Sequence, residues 1–230
     1  MKVAQSPLTR PRWIPWLEYA AAAACVALAA PVVKTLWTSG NWLVCGAAAL
    51  AGYLLADLVS GLVHWFGDTF FEEDTPVWGT LFVGPFREHH RDPLAMTRHS
   101  FGELNGSNCL GVAPLLLIAL TLRETAAEHS WALFGMSLLL FFSLSIAVTN
   151  QIHSWCHAPR APQAAVWLQR RGLILSPERH ASHHQGGSRD AYCVTTGWMN
   201  SLLDRTGVLR KGERALQALG VPVTSEVSPP

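Results

Sequence analysis

"WALFGMSLLLFFSLSIAVTNQIHSWCH", residues 131–157, decides the fold. Residues 131–155 are mostly apolar and, coiled as a helix, long enough to cross a bilayer, which takes about 20 residues. Its end is different. His153 and His157 stand four residues apart, so on a helix their imidazoles lie one above the other on the same face. A single such pair can arise by chance, and the rest of the chain has to say whether it did.

Three more stretches have membrane length or close to it: residues 16–33, 41–65 and 107–122, the last carrying Pro114. Of the 230 residues, 50% are hydrophobic, only 14% are charged and ten are tryptophan. Soluble domains carry about 25% charged residues, so several such runs in so apolar a chain predict an integral membrane protein. The first run has a rival reading. A basic start, an alanine-rich core and "ALA" before Pro31 resemble a cleavable secretory signal, whereas Glu18 within the run and Lys34 after it fit a retained helix. The net charge of +1 and the lack of a basic, aromatic-interleaved stretch argue against a nucleic-acid partner. Cys25, Cys45, Cys109, Cys156 and Cys193 are widely spaced and form no CxxC pair, which argues against a disulfide framework and a thiolate zinc site.

Loop charge predicts orientation. Lys2, Arg10 and Arg12 precede the first run, and nine Lys or Arg follow the fourth, from Arg160 to Arg214. The turns between runs one and two and between three and four are poor in them. Four crossings with both termini cytoplasmic follow, in a bacterial inner membrane or the endoplasmic reticulum. The segment 165–175, "AVWLQRRGLIL", is too short to span and reads as a helix lying in the interface; "FVGPFREHH" reads the same way. The expected layout is a cytoplasmic tail over residues 1–15, a membrane domain over 16–210 and a loose polar tail over 211–230. The fold class is all-α: a four-helix membrane bundle with interfacial helices and a cytoplasmic, histidine-rich cap that binds metal.

On that topology nine of the ten histidines share one side: His64, His89, His90, His99, His153, His157, His180, His183 and His184. Only His129 falls opposite. His180 and His184 repeat the four-residue spacing of His153 and His157. His183 points about 100° away from His184, so adjacent pairs such as His183–His184 and His89–His90 suit two metal ions. Taken alone, His64 or His99 would read as an interfacial residue; the convergence argues for a shared centre. Imidazole ligands suit iron, zinc, copper or nickel. Asp57, seven residues before His64, is expected to accept a hydrogen bond from a ligand histidine, with Asp68, Glu88 and Glu103 as weaker candidates for that role. Arg87, Arg91 and Arg98 are candidates for a substrate phosphate.

"ADLVSGLVHWFGDT", "GPFREHHRDPLAMTRHSFGELNGSNC", "NQIHSWCH" and "YCVTTGWMN" together resemble the plasmanylethanolamine desaturase family, from about Asp57 to Leu203. The resemblance implies an O2-dependent oxidoreductase that converts a 1-O-alkyl ether phospholipid to the vinyl ether of a plasmalogen. It implies two iron ions held by the nine histidines above, O2 as co-substrate, and electrons from cytochrome b5 or a ferredoxin. The alternative within the class is an acyl-chain desaturase or hydroxylase acting on a membrane phospholipid with the same centre. Some members carry a further histidine near "RHASHH", where this chain has Arg179 or Ala181, so the implied ligand set is least secure there. Neither a GxGxxG nor a CxxCH motif is present, in keeping with an external electron donor. A zinc or copper carrier would want histidines at bilayer depth, a bis-histidine haem protein facing pairs on two helices, and a metalloprotease HExxH, which is absent.

Overall fold

The computed structural model describes residues 13–76, 83–185 and 189–224. In chain order the helices are α1 (Ile14–Ser39), α2 (Trp42–Thr69), α3 (Gly84–Arg91), α4 (Phe101–Thr121), α5 (Arg123–Glu128), α6 (Ser130–His157), α7 (Gln163–Arg170), α8 (Pro177–Gln185), α9 (Asn200–Thr206) and α10 (Val208–Ala218), with a 3-10 turn over Ala95–Arg98. No strand occurs among the described residues; Phe70 and Val223 form one isolated antiparallel bridge.

α1, α2, α4 and α6 are each long and apolar enough to cross a membrane. Each extends past the span expected from hydropathy, because local chemistry rather than apolarity sets helix ends. α1 runs on to Ser39 and stops where Gly40 takes a left-handed φ of 66°, a conformation that glycine adopts without steric cost. α4 begins six residues before the expected position, at a capping box in which the Ser100 hydroxyl accepts from the Glu103 N–H and the Glu103 carboxylate accepts from the Ser100 N–H.

The helices alternate in direction, so the C-terminal ends of α2 and α6 and the N-terminal end of α4 share one end of the bundle. The principal contacts are α2 with α6, α6 with α4, and α4 with α1. Lipid is as apolar as leucine, so burial of oily surface does not by itself drive these pairs together. Close approach of small residues does, and Ala48, Ala56, Ala119 and Ala132 are fully buried. Leu116, Met136 and Leu140 fill the space between them, while Val26, Leu43 and Ile118 point outward, as membrane-facing side chains do.

α3 and the 3-10 turn pack onto α2 and α6, and α8 packs onto α6, forming a cap over the shared end. The helix expected over residues 165–175 is α7, which ends at Arg170; Ala165 and Gln169 are buried in it, and Trp167 is exposed beneath the Arg171 guanidinium. The polar tail expected from residue 211 needs correction. Lys211 to Ala218 are helical, because Leu209 and Leu216 make one inward face of α10, and Thr224 donates its N–H to Thr69 O at 3.0 Å. Residues 1–12, with Lys2, Arg10 and Arg12, and residues 225–230 lie outside the described residues, as does Phe82 of "FVGPFREHH".

Candidate metal centre

The cap gathers eight histidines from four helices. α2 supplies His64, α3 supplies His89 and His90, α6 supplies His153 and His157, and α8 supplies His180, His183 and His184. Two groups have all their candidate ligand atoms within 4.8 Å of one another: His64, His89, His90 and His183, and His89, His157, His180 and His184. His89 belongs to both. His153 adjoins the second group, its Nε2 2.8 Å from His180 Nε2 and 3.3 Å from His157 Nε2. His180 Nε2 lies 3.0 Å from both His157 Nε2 and His184 Nε2.

Four ring nitrogens crowded around one point cannot satisfy one another, because a neutral imidazole carries a single N–H. The Nε2 atoms of His64 and His89 and the Asp68 Oδ1 are buried without any hydrogen-bond partner. Buried polar atoms are rarely left so, and a metal ion would satisfy all of them. The donor set therefore fits one.

Two histidines have their tautomer fixed by the backbone. His64 Nδ1 donates to Tyr192 O at 3.0 Å and His183 Nδ1 to Asp190 O at 2.7 Å. A carbonyl only accepts, so each Nδ1 bears the proton and each Nε2 turns its lone pair inward. The residue between those carbonyls, Ala191, has a left-handed φ of 58°. That conformation is unfavourable for a residue with a Cβ, and here it aims both carbonyls into the cap.

Asp68 follows His64 by one helical turn. Its Oδ2 lies 3.1 Å from His90 Nε2, 3.2 Å from His64 Nε2 and 3.3 Å from His183 Nε2. The carboxylate thus faces three of the cluster's ring nitrogens and contributes a negative charge there.

Burial disfavours the charged form of His89, His180 and His184. It holds His89 and His180 far below the ordinary histidine range and His184 at about 3, with neighbouring imidazoles adding to the effect. They stay neutral and available as ligands at physiological pH. Unfolded, they would titrate near 6.5. Between about 3 and 6.5 the unfolded chain thus takes up protons that folded His184 refuses, and stability falls as pH falls. The metal-free protein is expected to melt at progressively lower temperature from pH 7 to pH 4, and a flat profile by differential scanning calorimetry would contradict this.

His99 is not brought into the cluster. It follows the 3-10 turn, is half exposed, and sets its Nδ1 3.8 Å from the Glu103 carboxylate. Glu103 itself closes the capping box of α4, and the Glu88 side chain is exposed. His129 caps the start of α6 at the opposite end. The three candidate phosphate-binding arginines are engaged within the protein. Arg87 is buried and donates to Phe70 O and Phe71 O, Arg91 pairs with Glu73, and Arg98 pairs with Asp92 at 2.6 Å.

Asp57 also departs from expectation. It meets no histidine. Its Oδ1 accepts from the Thr196 and Gly197 N–H groups at 2.7 and 2.9 Å, and its Oδ2 from the Met199 N–H at 2.9 Å. Ser60, one turn along α2, accepts from the Val194 N–H, and at Gly61 a Cβ would fall 2.5 Å from Cys193 Sγ. One face of α2 is thus a dock for the 192–199 segment, which presents the Tyr192 carbonyl to His64. Asp57→Ala should strand three N–H donors, the buried one on Thr196 and the half-buried ones on Gly197 and Met199, at about 1–3 kcal/mol for the buried one if it stays unpaired. It is expected to lower both the melting temperature and the metal bound per chain; a variant with wild-type values for both would remove this anchoring role.

Fold and cap together define an integral membrane protein whose histidine clusters can hold metal at one end of a four-helix bundle. The model of the lipid desaturase domain family matches residues 53–223. The plasmanylethanolamine desaturase of Myxococcus xanthus is 40% identical over 203 residues, covering 87% of this chain and 71% of that protein. Plasmanylethanolamine desaturase 1 of Mus musculus is 41% identical over 177 residues, covering 74% of this chain and 64% of the mouse protein. Fatty acid desaturase 4, chloroplastic, of Arabidopsis thaliana is 32% identical over 192 residues, covering 81% of this chain and 57% of the plant protein. The chain thus spans somewhat less than two thirds of the mouse and plant relatives. No solved structure matches it significantly. The chain belongs to the lipid desaturase family and is a membrane oxidoreductase acting on lipid.

Proposed function

We propose that this protein is a di-iron, O2-dependent desaturase that turns a plasmanylethanolamine into its vinyl ether, the plasmalogen. The observation that carries the reading is the convergence of imidazoles from α2, α3, α6 and α8 into two overlapping groups. His64, His90 and His183 with Asp68 would hold one iron, and His153, His157, His180 and His184 the other, with His89 between them. His99, expected from the sequence as a ninth ligand, is left outside this set.

The two irons would supply the oxidising power needed to remove two hydrogens from an unactivated alkyl chain. The protein's own part is arrangement. Tyr192 O and Asp190 O keep the His64 and His183 lone pairs turned inward. Asp68 offsets part of the metal charge in a cluster otherwise built of neutral ligands. Burial of His64, His89, His153, His180 and His183 keeps bulk water from the reacting chain. A metal site at the end of a transmembrane bundle suits a substrate whose tail lies in the bilayer and whose headgroup stays at its surface. Electrons would arrive from cytochrome b5 or a ferredoxin, and loop charge supports termini and cap facing the cytoplasm. Residues 16–210 form the desaturase domain in this reading.

Identity of 40% and 41% to two plasmanylethanolamine desaturases favours the ether-lipid substrate. The 32% identity to a fatty acid desaturase keeps acyl-chain desaturation as the second reading. Expression in a host lacking plasmalogens separates them. Acid-labile alkenyl chains should appear in the phosphatidylethanolamine fraction, and the purified protein should contain about two irons per chain. A new acyl double bond without alkenyl chains would favour the second reading, and metal-free active protein would end both.

A further inference from the structure

Arg87, Arg91 and Arg98 are all engaged within the protein, which leaves the headgroup without a seat. Behind α8 lies an open cleft of about 520 Å³, lined by Arg179, Ser182, Ala191, Gly197, Trp198, Asn200, Ser201 and Asp204. It shares a wall with the metal centre. On α8, Arg179 and Ser182 line the cleft while the adjoining His180 and His183 belong to the histidine cluster. The same holds for the 190–200 segment: Ala191 lines the cleft while the neighbouring Asp190 and Tyr192 carbonyls hold His183 and His64.

The cleft carries opposite charges. The Arg179 guanidinium donates to Thr196 O at 3.1 Å through one nitrogen, and that is its one side-chain hydrogen bond among the described residues. Its remaining donors are free to meet an anion. Among the described residues the Asp204 carboxylate accepts one long hydrogen bond, from the Ala191 N–H to Oδ1 at 3.4 Å, and burial raises its carboxyl above the ordinary range. A cation beside it would stabilise the charged form.

Indole and aliphatic side chains border the cleft. Trp198 donates its indole N–H to Gly172 O and packs edge-on against Tyr53, eleven residues before His64 on α2. That is roughly 16 Å down the helix. Trp167, Leu173, Trp198 and Leu202 are all exposed around this corner, the mix of indole and aliphatic surface that faces a membrane–water boundary.

We propose that this cleft seats the phosphoethanolamine headgroup of the lipid substrate, with Arg179 taking the phosphate and Asp204 the ammonium. The proposal rests on the substrate reading above. Six bonds separate phosphorus from the ether-linked carbon of the alkyl chain, roughly 7–8 Å when extended. A double bond placed next to the ether oxygen therefore needs a headgroup site close to the metal centre, and a cleft sharing the walls of α8 and residues 190–192 satisfies that need. A primary ammonium offers N–H donors to Asp204. A trimethylammonium offers none, so the cleft should also discriminate between headgroups.

The test uses the full-length, iron-loaded chain in phosphatidylcholine nanodiscs supplied with 1-O-alkyl phosphatidylethanolamine or 1-O-alkyl phosphatidylcholine. Arg179→Gln is expected to raise KM about tenfold for both lipids, and Asp204→Asn to raise it about tenfold for the ethanolamine lipid alone, as loss of one charge-assisted contact predicts. Ser201→Trp removes no hydrogen bond and fills the cleft, so it should raise KM even if the charge variants fold poorly. Native mass spectrometry of the metal-free protein should show the same loss of retained ethanolamine lipid, a readout independent of turnover. Unaltered headgroup preference in Asp204→Asn together with wild-type KM in Ser201→Trp would overturn the proposal. So would free phosphoethanolamine binding as tightly as the lipid. If the wild type desaturates an acyl chain instead, the substrate reading fails by itself, and the headgroup preference of the variants on that acyl lipid still decides the cleft.

Discussion

Alanine at His157 or His184 is expected to lower vinyl ether formation more than about 100-fold. Loss of a partner merely orienting a metal ligand costs about 10–100-fold, and loss of a ligand costs more. Both side chains are half-buried at the rim of the cap, so truncation opens space near solvent rather than a cavity in the core, and the protein should still insert into the membrane. His157 Nε2 lies 3.0 Å from His180 Nε2, and His184 Nε2 is equally close to it. Each removal therefore takes one donor from the same group of nitrogens, and iron per chain should fall with activity. The informative contrast is His99→Ala. Because His99 faces Glu103 and solvent, its replacement should keep activity within about twofold and iron near the wild-type value. Wild-type alkenyl lipid in His157→Ala, or loss of iron in His99→Ala, would contradict the ligand set proposed here.

The difference between those histidines shows what the sequence makes legible. Spacing within one helix is local geometry: His153 with His157 and His180 with His184 have to share a face once α6 and α8 form. His99 lies beyond a 3-10 turn, where no periodicity fixes its direction, and the turn aims it outward. Asp57 is a subtler case. Seven residues from His64 places it on the same face of α2, as read, but what that face meets is a backbone segment some 140 residues later. The Tyr192 and Asp190 carbonyls that set the His64 and His183 tautomers leave no mark in any side-chain pattern. Arg87, Arg91 and Arg98 looked available because the acids that engage them include Glu72–Glu73 and Asp92, and only the tertiary fold brings these together. The spans themselves were plain from apolar length. Their ends were not, since Gly40 and the Ser100–Glu103 box act through backbone geometry.

Helix packing links the bundle to the metal centre, and Gly52 on α2 is where that link is most exposed to a single substitution. A Cβ there would stand 2.7 Å from Leu138 O and 2.9 Å from Phe142 N. Both are backbone atoms of α6, so no side chain can swing aside and the two helices must part. Gly52→Ala gains about 1 kcal/mol of intrinsic helix propensity but has to separate the pair by several tenths of an ångström. Overpacking of this kind costs about 1–3 kcal/mol, so net destabilisation is expected, and Gly52→Leu should fall beyond the range that one crossing can absorb. Gly46 and Gly111 have nothing within 4 Å of an added Cβ; alanine at either should be neutral or stabilising by up to about 1 kcal/mol. The consequence reaches the cap because α2 carries His64 and Asp68 while α6 carries His153 and His157. Parting these helices shifts one part of the cluster against another, and a misplacement of about 1 Å at a reacting site costs on the order of 100-fold. Gly52→Leu is therefore expected to lose iron and activity from a distance at which it touches no ligand, with thermal melts in detergent ranking Gly52→Leu below Gly52→Ala and both below Gly46→Ala. A Gly52→Leu protein as stable and iron-replete as wild type would mean that the α2–α6 crossing does not set the geometry of the cluster.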